Sequence, residues 1–167
     1  WSANFAMRGY VEDELPALIA AEFPMLDMAR QSITGHSMGG HGALTIAMAH
    51  PDRFASVSAF APIANPTASD WGKKQLGAYL GEDKGQWAKH DASLQMKEVG
   101  FDGPVLIDQG ASDNFLDLLR PEALAHAMMA RRQEGLFRMQ KGYDHCYFFI
   151  SSFMEDHVTF HAEALYT

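Results

Sequence analysis

The chain has 167 residues, a 47% hydrophobic share, a net charge of −8 and one cysteine. That length suits a single domain, residues 1–167, large enough to bury a core. The acidic balance argues against nucleic acid or an anionic membrane as the main partner, since both reward basic surfaces. No apolar run is long enough to span a bilayer. Cys146 alone excludes an internal disulfide and leans towards a reducing compartment. No signal peptide is visible, and because the chain opens on Trp1 rather than methionine the natural N-terminus is expected upstream.

In chain order, Val11, Leu15, Leu18 and Ile19 fall at helical spacing, with Glu12, Asp13 and Glu14 suiting the helix start. Pro16 there implies a late start or a kink. Residues 30–34 predict a short strand. It runs into Gly35-His36-Ser37-Met38-Gly39, a G-x-S-x-G motif, and the helix-forming stretch 40–50 follows, stopped by Pro51. In that strand-turn-helix context the motif reads as a nucleophile elbow. The serine is forced into strained geometry with its hydroxyl exposed, and Gly35 and Gly39 are expected to let strand and helix approach. The bland alternative is a glycine-rich turn with an incidental serine.

Further along, 56–60 predicts a buried strand ending before Pro62, and 65–74, with Pro66, Asp70 and Gly72, reads as a loop. Irregular helical pieces are expected as far as Glu98. Residues 104–108 are the clearest strand and 121–132 the clearest helix after it, with Leu124, Ala127 and Met128 on one face. A last strand falls at 136–140 and a long helix at 147–165. The alternation predicts an α/β fold, a mostly parallel sheet with helices on both faces.

A nucleophilic serine needs a base, and the base needs an acid to orient it. In α/β-hydrolases they follow in the order serine, acid, histidine, each on a loop after a strand. Among eight histidines, His36 and His41 lie on the wrong side of that order, and His50 reads as a helix C-cap. His90 lies in the helical excursion and His126 in mid-helix. His157 and His161, four apart, could pair on a metal, but with no third ligand nearby they read as helix surface. His145, just past a strand, is the favoured base. Asp108, Asp113 and Asp117 compete as the acid. Asp108 continues the strand and points into the sheet or caps its end, Asp117 looks like an N-cap, and Asp113 sits in the loop at the strand's C-terminal edge, making it the best choice.

These motifs resemble the S-formylglutathione hydrolases, the esterase D family. The resemblance runs through 35–44, Leu106-Ile107-Asp108-Gln109-Gly110, Asp113-Asn114-Phe115-Leu116 and Gly142-Tyr143-Asp144-His145, and takes in Tyr79-Leu80-Gly81-Glu82-Asp83 and residues 147–162. It places nucleophile, acid and base on Ser37, Asp113 and His145, and one oxyanion-hole donor on the Met38 backbone N–H. It implies an α/β-hydrolase fold and hydrolysis of S-formylglutathione to formate and glutathione, the closing step of glutathione-dependent formaldehyde detoxification. It also implies a cytoplasmic homodimer acting on small thioesters or esters, with no cofactor and no metal. A carboxylesterase or acyltransferase of the same fold, and a non-catalytic truncated fragment, remain as alternatives. Two departures stand out. Cys146 replaces a common serine after the base; it is expected to be a small buried substitution, the alternative being a thiol beside the base that oxidants could reach. At the front, residues 1–10 already resemble the segment before the family's mid-chain helix, so an N-terminal segment carrying the first strands and the second oxyanion donor is expected to be missing. Lys73, Lys74 and Arg120 could face an anionic substrate, but solvated surface is their default reading and none is assigned.

Overall fold

The computed structural model describes residues 6–166. Residues 1–5, half of the 1–10 segment singled out by the resemblance, lie outside the described residues, as does Thr167.

The first helical run begins earlier than its acidic residues suggest. Met7–Gly9 (α1) passes through a π-helical turn, Tyr10–Glu14, into Leu15–Glu22 (α2). Proline lacks an N–H and its ring clashes with the carbonyl four residues back, so the wide turn ahead of Pro16 lets the chain stay helical. The sheet is built from Gln31–His36 (β1), Phe54–Phe60 (β2), Val105–Gly110 (β3) and Gly135–Gln140 (β4), in the order β1-β2-β3-β4, all pairs parallel. Parallel neighbours require crossovers, and helices supply them. Met38–Ala49 (α3) joins β1 to β2, with His50 as its C-cap. Between β2 and β3 the chain makes a 3₁₀ turn, Pro66–Ala68, then Asp70–Leu80 (α4), Lys84–Ala88 (α5) and Ala92–Glu98 (α6). Leu116–Leu119 (α7) and Pro121–Arg131 (α8) lead to β4, and Tyr147–Tyr166 (α9) closes the fold.

The loop expected over 65–74 is a helix from Asp70 onwards. Ser69 caps it, its hydroxyl accepting from the Gly72 amide at 3.0 Å. Position 72 of this helix must be glycine, because a Cβ there would overlap the Pro66 backbone. Glycine thus reports close packing rather than a turn, and the propensity reading failed for that reason.

Alternation along the strands separates two environments. From β1, β2 and β3, Ile33, Val57, Ala59, Val105 and Ile107 join the main core with residues of α3, α6 and α8. The opposite face carries Ser32, Thr34, Ser56, Ser58, Phe60 and Asp108, and α9 covers it with His157 and His161. Helices therefore flank both faces, as the pattern predicts. The C-terminal ends of the strands align, with His36, Phe60, Asp108 and Arg138 in one row across the sheet.

Candidate active site

Ser37 follows β1 directly and precedes α3, with φ 56° and ψ −115°. Positive φ is costly for a residue with a Cβ, and its surroundings fix it. The Ser37 amide donates to the Phe60 carbonyl at 2.9 Å, and the Ser37 carbonyl accepts from the His41 amide at 2.9 Å and the Ile63 amide at 3.3 Å. Gly35 is required, since a Cβ there would run into the Gly39 backbone, and a Cβ on Gly40 would press on Ala59 and Pro62 at 3.2 Å. Gly39 is not required in this way. A Cβ at Gly39 meets open space, so the tight position is 40 rather than 39. Met38 is the first residue of α3, where backbone amides have no carbonyl within the helix to receive them, and its side chain is exposed.

Asp113 lies in the loop after β3 with its carboxylate buried. Its Oδ1 accepts from the Phe115 amide at 2.8 Å, and its Oδ2 from Gln109 Nε2 at 2.9 Å and from His145 Nδ1 at 2.7 Å. His145 lies in the loop after β4. That loop and the β3 end touch backbone to backbone: the Ser112 amide donates to the Tyr143 carbonyl at 2.9 Å, and a Cβ on Gly110 would sit 2.5 Å from the Tyr143 and Asp144 carbonyl oxygens. The His145 ring also lies 4.5 Å from the His36 ring and edge-on to Phe115 at 5.1 Å. Burial, and then the proximity of His145, push the pKa of His36 below the usual histidine value, so His36 is neutral beside it. The residue preceding Ser37 thus packs on the ring held by Asp113, and the three loops converge at the strand ends.

The competing acids go elsewhere. Asp117 is exposed in the first turn of α7, whose N-cap is Phe115, so it is not the cap it resembles in sequence. Asp108 points into the α9 face. Burial raises its carboxyl pKa, but hydrogen bonds from His157, Arg138 and Gln140 outweigh that and hold it at about 2.

Three further expectations are overturned. His157 is 1% exposed and His161 is partly buried, so they are not a helix surface; among the described residues no metal-holding cluster includes them. Cys146 is exposed rather than buried, because the loop turns outward as α9 begins. Lys73 and Lys74 belong to α4 rather than to a loop, and Arg120 joins α7 to α8 with its guanidinium on Glu122. Sequence reasoning weighed His36 only as a base and set it aside, and gave Gln109 and Gly110 no role of their own. Gly110 alone carried a signal, as a glycine ending an apolar strand.

Comparison with known proteins identifies the family. A model of the family described as putative esterase matches residues 1–160. The chain is 65% identical over 165 residues to an S-formylglutathione hydrolase of Paracoccus denitrificans (strain Pd 1222), covering 99% of this chain and 59% of that protein. It is 48% identical to a Mus musculus S-formylglutathione hydrolase, again over 99% of this chain and 59% of the relative. It superposes on an S-formylglutathione hydrolase from Agrobacterium tumefaciens with a TM-score of 0.89 at 49% identity, covering 95% of this chain and 57% of that one. The chain thus spans about three-fifths of the length of the curated relatives it matches. On the family match, the sheet order and the elbow, the chain belongs to the putative esterase family and has the α/β-hydrolase fold.

Proposed function

We propose that the protein carrying this chain is a serine thioesterase that hydrolyses S-formylglutathione to formate and glutathione. The observation that carries the reading is the 2.7 Å hydrogen bond from His145 Nδ1 to the buried Asp113 carboxylate, beside a serine in strained elbow geometry. The relatives' names supply the substrate. In this mechanism Asp113 fixes the imidazole so that Nε2 is the basic nitrogen. His145 takes the Ser37 proton as Oγ attacks the thioester carbonyl, and the Met38 amide donates to the oxyanion. The glutathione thiolate leaves and takes up the proton held by His145, and a formyl ester on Ser37 remains. The neutral His145 then accepts a proton from the water that attacks this ester and returns it to Ser37 Oγ as formate is released. A thiolate is a good leaving group, so acylation needs less acid assistance than amide cleavage does.

The finer parts of the reading are proposed with it. Residues 1–167 belong to a single α/β-hydrolase domain shared with an N-terminal segment, and the enzyme is a cytoplasmic homodimer. The greater length of the relatives supports the segment, as does β1, which among the described residues pairs only with β2. The test is turnover by the complete protein of S-formylglutathione against p-nitrophenyl acetate, with Ser37→Ala beside the wild type. The thioester should be preferred, and Ser37→Ala should lose on the order of a million-fold in turnover. A preference for the simple ester would point to the carboxylesterase alternative, and retention of even a tenth of turnover by Ser37→Ala would reject the nucleophile.

A further inference from the structure

Under α9 lies a second serine, histidine and aspartate in hydrogen-bonded order. Ser58 Oγ is 2.8 Å from His157 Nδ1, and His157 Nε2 is 2.9 Å from Asp108 Oδ2. Ser58 is fully buried and the His157 ring is stacked on Phe60 at 3.7 Å. No substrate reaches this set, so it is not a catalytic site. We infer that His157 is a buried imidazolium, protonated on both ring nitrogens, whose ion pair with Asp108 seats α9 and so positions His145.

Hydrogen-bond accounting requires both protons. Ser58 Oγ has three neighbours, Thr34 Oγ1 at 2.7 Å, His157 Nδ1 at 2.8 Å and His161 Nε2 at 2.7 Å. A hydroxyl donates once and accepts twice. Its geometry has Ser58 donating to Thr34. Both histidine nitrogens must then donate to Ser58. His161 satisfies this as a neutral ring, donating through Nε2 and accepting at Nδ1 from Ser56, 2.7 Å away, which in turn accepts from Ser32 at 2.7 Å. His157 has Nδ1 donating to Ser58 and Nε2 facing a carboxylate, where a bare nitrogen would be repelled. It therefore carries two protons.

Charge balance agrees. The Asp108 carboxylate also takes Arg138 Nε at 2.8 Å, Arg138 Nη2 at 2.5 Å and Gln140 Nε2 at 2.7 Å, filling both oxygens. Arg138 Nη1 reaches Asp156 at 2.7 Å. With His157 charged, two cations face two carboxylates, the buried Asp108 and the exposed Asp156, and the cluster is neutral overall. The nearby charge also contributes, after burial, to the lowered pKa of His161.

The cluster ties α9 to every strand of the sheet. Thr34 lies on β1, Ser58 on β2, Asp108 on β3 and Arg138 on β4, while His157 and Asp156 come from the helix that starts two residues after His145. Phe60, under the His157 ring, is also the residue whose carbonyl receives the Ser37 amide. Loss of the ion pair frees α9 to slide or tilt, and the base loop moves with it.

The kinetic consequence rests on His145 being the base; the proton count does not. In the complete protein, ¹⁵N NMR of the histidine side chains at neutral pH should show both His157 nitrogens protonated and His161 with one proton. In folded His157→Gln, turnover should fall about tenfold to a hundredfold with KM nearly unchanged, as misplacement of a reacting group predicts. The downfield proton resonance of His145 Nδ1–H should shift or broaden at the same time. Ser58→Ala, which removes only the Nδ1 acceptor, should move that resonance in the same direction and carries this arm if His157→Gln does not fold. A singly protonated His157 in the wild type would overturn the charge assignment. Wild-type turnover with an unmoved His145 resonance in a folded variant would overturn the positioning role. Loss of activity in Ser37→Ala tests the function separately, so the two readings fail independently.

Discussion

His161 should make this fold acid-sensitive in a defined window. Burial, and then the charge on His157, lower its pKa from 6.5 to about 4. In the unfolded chain it accepts a proton as pH falls through 6.5, whereas in the native state it remains neutral until about 4. The unfolded state therefore binds more protons throughout that interval, and stability complete above pH 6.5 drains away as pH falls towards 4. At about 1.4 kcal/mol per pH unit, discounted for the partial exposure of the ring, the loss is about 2 kcal/mol. His161→Gln should lower stability at neutral pH, since Ser56 and Ser58 each lose a partner worth about 1 kcal/mol. It should also remove this acid-dependent part. Urea unfolding of the complete protein and the variant at pH 7.5 and pH 4.5 measures both. The stability gap between them should narrow by about 2 kcal/mol at the lower pH. A gap that is constant or wider would refute the assignment of a neutral, buried His161. Other histidines with lowered pKa values, His36 and His41 among them, act equally in both proteins and cancel in the difference.

Asp113→Asn should cost turnover roughly a thousandfold or more, because the amide presents the wrong partner to the imidazole, while the exposed Asp117→Asn should be nearly silent. Equal losses in two folded variants would sink the choice of Asp113. Gly110→Val should drive the acid and base loops apart, since even a Cβ would stand 2.5 Å from two carbonyl oxygens; turnover should collapse and the melting temperature should fall. Gly39→Ala should be tolerated and Gly35→Ala should not, a contrast that thermal unfolding of the two variants reads directly. The exposed Cys146 should react readily with iodoacetamide, yet Cys146→Ser should keep turnover within about twofold, because a serine hydroxyl can replace the thiol in its hydrogen bond to Asp144.

Much of this architecture was legible in the sequence, for physical reasons that differ from element to element. The strand-turn-helix around Ser37 announces itself because a tight turn between β1 and α3 leaves little choice but glycine at 35, although the second close approach falls at Gly40 and not at the Gly39 that the motif suggests. His145 and Asp113 could be singled out because loops after parallel strands all open at one edge. What resisted reading was packing at a distance. Gly72 and Asp70 look like loop residues until Pro66 is seen against the helix backbone. His157 and His161 look like solvated helix until they meet a strand face that is polar rather than apolar. The clue was present in Ser56 and Ser58, two hydroxyls at period-2 spacing in a strand otherwise built for burial, but their partner lies about a hundred residues away. Cys146 shows the opposite error. Replacement of a small serine suggested burial, and the side chain is exposed.

The central claim is that Ser37 is the nucleophile that Asp113 and His145 activate. The most direct measurement is covalent trapping: the complete protein is treated with an organophosphonate ester, digested, and the modified peptide located by mass spectrometry. One equivalent should attach to Ser37 as turnover is lost, and neither Ser37→Ala nor His145→Ala should be labelled at a comparable rate. An adduct on another residue, or full turnover with Ser37 modified, would contradict the account.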